Sequence, residues 1–170
     1  MIYIIMKDER FNVFALSSEG VNVDGVRSIE YSYDWGLLPE GEYELTWCFT
    51  GRERIMTIAQ LGTIDVVMLE FQGLNAYTNQ VGGAVWGNSN VSSQLIGLLE
   101  LNAPYHYTDA AGAKVAAVQI LSNKRNPPIR VRSVPQGKFT INILSADGTP
   151  APETTVSEYV LSMCFRRLEC

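Results

Sequence analysis

Apolar residues recur at every second position through most of this chain, and that period admits little except β-strand. In residues 42–50, Tyr43, Leu45, Trp47 and Phe49 fall on one face, with Glu44 and Thr46 on the other. Successive strand side chains point to opposite sides, so such a segment buries one face and solvates the other. Residues 138–143 repeat the pattern with Phe139, Ile141 and Ile143 inward. Residues 158–165 do so with Tyr159, Leu161, Met163 and Phe165. Shorter runs occupy 11–16, 28–34, 65–71, 94–101, 115–121 and 129–133. The best helical candidate, residues 53–60, is short and reads as uncapped. The pattern predicts an all-β chain.

Turn chemistry falls between the runs. Asp24-Gly25 suits a two-residue turn because glycine tolerates positive φ, and Pro39-Glu40-Gly41 precedes the strongest strand. Residues 108–112 form a turn between Tyr105–Tyr107 and the run at 115–121. Asn126-Pro127-Pro128 requires the strand at 129 to begin there or to lie at an edge. Two longer connections, near 75–93 and 145–157, have no strand pattern; loops of that length in compact domains are commonly functional. A length of 170 residues with 46% hydrophobic content supports one self-sufficient core. The expectation is a single domain over residues 1–170, a two-sheet antiparallel sandwich. A jelly roll of about eight or nine strands is its most economical form.

The chemistry the chain lacks narrows its role. A net charge of −5 disfavours general phosphate binding, so no specific nucleic-acid partner is expected. The charge is uneven: residues 1–85 carry 5 basic and 12 acidic side chains, residues 86–170 carry 8 and 6. The apolar start at residues 1–6 falls short of the ~20 residues of a membrane helix and lacks signal-peptide order. No membrane insertion is expected. Cys48, Cys164 and Cys170 form no paired motif. Cys48 and Cys164 sit in apolar segments and read as buried, inert thiols, Cys170 as a free terminal thiol, and the compartment as reducing. His106, the single histidine, argues against multi-histidine zinc sites and catalytic triads. Glu42 and Glu44 lie on a solvent face, away from any cleft that a glycosidase pair would need. The chain reads as a non-enzyme without cofactors.

Contact residues remain. Trp86 lies in the glycine-rich loop and Tyr105 and Tyr107 lie near a turn, where exposed rings stack on sugars or anchor protein interfaces. Arg130 and Arg132 share a face, either as a solvated strand surface or as partners of an acidic protein. Trp47 reads as core, and Trp35 shares the buried parity of Tyr31 and Tyr33.

Residues 29–47, with Tyr33-Asp34-Trp35-Gly36-Leu37-Leu38-Pro39-Glu40-Gly41-Glu42-Tyr43 at their centre, carry a motif of the form aromatic-Asp-Trp-x-x-Leu-Pro-x-Gly-x-Tyr. Gly73-Leu74-Asn75-Ala76-Tyr77 follows a strand, and Asn126–Val131, Phe139–Leu144 and Tyr159–Phe165 come later in the same order. Together these segments resemble the small single-jelly-roll capsid proteins of large double-stranded DNA viruses of protists and algae, and of their satellite viruses. The resemblance spans most of residues 29–166; its departures are the short N-terminal region and the charged tail at 166–170. It implies a minor capsid or vertex (penton-like) protein, made in host cytoplasm and carried in the virion. Such a protein self-associates as a trimer or pentamer and joins the major capsid protein. The alternative from the residues alone is a lectin-like module using Trp86, Tyr105 and Tyr107.

Overall fold

The computed structural model describes residues 6–7, 10–62, 67–76, 93–134, 137–153 and 155–168. Among them run β1 (Met6–Lys7), β2 (Arg10–Leu16), β3 (Val21–Asn22), β4 (Ser28–Ser32), β5 (Tyr43–Gly51), β6 (Arg54–Thr57) and β7 (Val67–Gln72). They continue as β8 (Asn75–Ala76), β9 (Ser93–Thr108), β10 (Lys114–Ser122), β11 (Ile129–Ser133), β12 (Lys138–Ser145) and β13 (Tyr159–Arg167). The nine longest coincide with the nine alternating runs. The four short ones, β1, β3, β6 and β8, have too few residues to show a period.

All named strand pairs are antiparallel, in the order β1-β2-β13-β5-β10-β9-β7-β12-β4-β3, with β11 on β5 and β8, and β6 on β10. The sheet curls because one edge of β5 serves two partners. Its start pairs with β11 (Ile129↔Leu45), whereas its end meets β10 (Leu121↔Thr50).

The curl closes around one core. Phe71 stacks on Phe139 at 4.9 Å and Tyr31 on Phe139 at 5.2 Å. Trp35 sets its edge against both Phe139 and Phe165, each at 5.5 Å, joining β12 to β13. The Tyr31 hydroxyl donates to that of Tyr159 at 3.1 Å, again across the core. Burial pushes the Tyr31 hydroxyl up from 10.0 to about 12, and pushes Tyr159 well above the usual tyrosine range.

A second region departs from this core. The first part of β9 pairs with β7 through residue 99, and its remainder pairs only with β10, whose other edge carries β6. The resulting β6–β10–β9 outgrowth has its own small cluster of Met56, Ala116 and Val118, with Leu61 and Ala103 against it. The expected turn at 108–112 closes it: the Asp109 carboxylate accepts from the Ala111 and Ala113 amides at 3.0 and 2.8 Å. Strand β9 outruns the expected end at 101 because β10 supplies a partner as far as Thr108.

Several expectations are corrected. Residues 53–60 divide between strand β6 and the start of the short helix α1 (Ile58–Leu61), which is capped: Thr57 and Gln60 form a reciprocal capping box. Cys48 is exposed and Cys164 half-buried, because both take the outward parity, Cys48 that of Glu44 and Thr46, Cys164 that of Arg166. Trp47 is half-buried; it packs on the core margin and donates to the Ile96 carbonyl at 3.2 Å. It lies so close to Gly97 that a Cβ there would sit 2.6 Å from the indole. The connection at 145–157 folds back in part, with Ala151, Thr155 and Val156 buried.

Candidate functional site

Tyr105 and Tyr107 share the outer face of the outgrowth, 71% and 46% exposed. Register sets Tyr105 beside Ala117 and Ile55, and Tyr107 beside Val115 and Thr57. These two rows carry no charge, and Ile55 is itself 54% exposed. His106 takes the opposite parity and is also exposed.

Arg130 and Arg132 lie elsewhere. They project from β11 beside the start of β5, whereas the outgrowth leaves from its end, roughly 20 Å along that strand. Arg130 is bound to the Glu42 carboxylate through both Nε and Nη2, and Arg166 pairs with Glu44 at 2.8 Å. Exposed pairs of this kind contribute about 0–1 kcal/mol, so they order the surface more than they stabilise it. The expected contact residues therefore form two separate surfaces. Trp86, the third aromatic of the expected set, lies outside the described residues, as do residues 77–92 of the loop near 75–93.

Arg132 lines a cleft of about 580 Å³ with Tyr33, Asp34, Leu38, Glu40 and Val134. Its wall is the Asp-Trp-x-x-Leu-Pro-x-Gly-x-Tyr segment, whose residues build a corner between β4 and β5. Asp34 caps the 3-10 turn Trp35–Leu37 by accepting from the Gly36 amide at 3.0 Å. Trp35 turns into the core and donates to the Gly137 carbonyl at 3.2 Å, while Tyr43 donates its hydroxyl to the Pro39 carbonyl. Gly41, at φ +149°, lets the Arg167 guanidinium approach and donate to the Glu40 carbonyl at 2.7 Å. Tyr33 Oη is buried without a partner among the described residues. Burial, with a smaller contribution from the Asp34 charge, raises its pKa.

A polar network went unseen in the sequence. The Ser28 hydroxyl donates to Asn142 Oδ1 and Asn142 Nδ2 to Glu70 Oε2, both at 2.7 Å. The three residues are only 1%, 1% and 5% exposed. They lie side by side in register on β4, β12 and β7, on the face away from the main core. Buried polar groups require such partners, and a satisfied network holds three strands in one register. The parity of Ser28, Glu70 and Asn142 reads as solvent-facing, so no local signal could have found it.

A third surface lies outward on β2, β13 and β5. Register stacks Leu16, Val160 and Thr50 in one row, Phe14, Ser162 and Cys48 in the next, then Asn12, Cys164 and Thr46. All three rows are uncharged. Charge begins in the fourth, Arg10, Arg166 and Glu44.

Among the described residues, no group of three or more His, Cys, Asp or Glu is placed to hold a metal ion, and no helix is long and apolar enough to cross a membrane. No protein-family model matches the chain, and a search of curated proteins finds no match.

Proposed function

We propose that this chain is a jelly-roll capsid component, a minor capsid or vertex protein that works by contact with copies of itself and with a major capsid protein. Strand order carries the reading. Setting aside β6, β10 and the two-residue strands leaves two pairing series, β2-β13-β5-β11 and β4-β12-β7-β9. Lettered B to I in chain order, these become B-I-D-G and C-H-E-F, the order in which a jelly roll sets two four-stranded sheets face to face. The outgrowth is then built from two excursions, β6 between the third and fourth strands and β10 between the fifth and sixth. The resemblance of residues 29–166 to small capsid proteins of large DNA viruses supplies the biological setting: synthesis in host cytoplasm and residence in the virion.

The surfaces suit such a role. Interfaces are depleted of charge at their centres and enriched in aromatic residues, as on the outer face of the outgrowth and across the three uncharged rows. Light scattering on the purified protein should give a trimer or pentamer, and mass spectrometry of purified particles should find the chain beside the major capsid protein. A strict monomer missing from particles would overturn the reading.

The exposure of Tyr105 and Tyr107 also favours a second reading, a lectin-like module that stacks sugars on the two rings. Under it, Tyr105→Ala abolishes a glycan-array signal while the fold persists. A wild-type protein silent on the array removes it.

A further inference from the structure

We propose that Cys48 and Cys164 together form a dithiol site for a soft, thiolate-seeking metal ion, with Cu(I) the ion whose preferences it fits. Cys48 on β5 lies opposite Ser162, and Cys164 on β13 lies opposite Thr46. They are therefore diagonal neighbours on one strand pair, both facing outward. Diagonal neighbours have Cα atoms about 7–8 Å apart and Cβ atoms closer. Two sulfurs bound to one ion at about 2.3 Å each stand roughly 4 Å from each other. Two cysteine side chains turned toward one another close that gap.

Other observations converge on the same spot. Both cysteines are free, and they line one shallow depression of about 220 Å³ with Asn12, Phe14, Thr46 and Ser162. The Ser122 hydroxyl, on β10 along the other edge of β5, donates to Cys48 Sγ at 3.6 Å, so ion binding turns the Cys48 side chain from Ser122 toward Cys164. With no third His, Cys, Asp or Glu grouped there among the described residues, tetrahedral zinc and oxygen-seeking ions lack the ligands they require. Thiolate pairs instead select Cu(I). Binding releases one proton from each thiol to solvent, and no electron moves.

The site shares the uncharged rows that the assembly reading offers as an interface, but it needs no partner chain and is tested apart from that reading. The full chain carrying Cys170→Ser is titrated with Cu(I) under oxygen-free reducing conditions, in competition with a chromophoric Cu(I) chelator. One ion per chain is expected. Adding Cys48→Ser or Cys164→Ser should each weaken uptake by more than about 100-fold, beyond the cost of losing an outer contact. Circular dichroism should be unchanged, because both side chains face away from the core. As a second measurement needing no further variant, alkylation of the Cys170→Ser protein with N-ethylmaleimide should abolish uptake. Absence of binding before substitution, or binding that survives either serine variant or alkylation, would overturn the proposal.

Discussion

The body and the outgrowth are built from the same alternating strands, yet they bury very different amounts of themselves. In the body, the inward residues of β2, β4, β5, β7, β11, β12 and β13 meet in one cluster, with Phe49, Phe71, Phe165 and Ile141 fully enclosed. In the outgrowth, the buried cluster is three residues, and the other face leaves Ile55, Tyr105 and Tyr107 in the open. The difference teaches that alternation sets which side a residue faces, whereas burial depends on whether another layer stands opposite. In the body one does. In the outgrowth, three strands and one turn of helix supply only part of one.

Substitutions can break that contrast. Phe139 touches Tyr31, Trp35 and Phe71 at the centre of the body. Phe139→Ala should cost about 3–5 kcal/mol in chemical denaturation, the range for emptying an aromatic site in a packed core. A loss under about 1 kcal/mol would show that the body is no better packed than the outgrowth.

Alkaline pH tests the same core without mutation. Folded Tyr31 keeps its proton up to about 12, whereas the unfolded chain releases it from pH 10.0 upward. Above pH 10 the folded state binds the extra proton, so stability is full below that point and falls as pH rises toward 12. The slope is about 1.4 kcal/mol per unit for this one group, with buried Tyr159 adding in the same direction. Denaturation midpoints independent of pH over this window would mean that the two hydroxyls are not enclosed.

Met56→Ala should cost less, about 2 kcal/mol or below, because so small a cluster leaves room to collapse. Its effect should be local, with faster amide exchange in β6 and β10 and little change in β12 or β13. Global destabilisation equal to that of Phe139→Ala would mean that the two regions unfold as one. The smallest effect is expected at Tyr105→Ala, within about 0.5 kcal/mol in stability. If the outgrowth is an interface, the same change should lower the oligomer fraction in light scattering.

The nine long strands were legible because the period of two persists through them, and Tyr31 and Trp35 were correctly expected inward. For Cys48 and Cys164 the apolar neighbours point inward but the parity points outward, and parity decides their exposure. The cap of α1 was equally readable, since Thr57 and Gln60 stand three residues apart. Trp47 has inward parity but stands at the margin of the core, half-buried with its indole against Gly97. Of the expected contact residues, Tyr105 and Tyr107 were legible as exposed rings, but their setting beside Ile55 depends on a strand from elsewhere in the chain. The separation of the arginines from the tyrosines depends on how β5 divides its edge between β11 and β10.

Alternation and turn chemistry are local, so the amino-acid order alone determined that this chain is all-β, where its long strands run, and which residues of each share a face. Pairing is not local. The order of strands, the curl, the exposed outgrowth and the burial of Ser28, Asn142 and Glu70 came only from tertiary structure. A strand's pattern records which side needs cover, and only the folded chain decides what covers it.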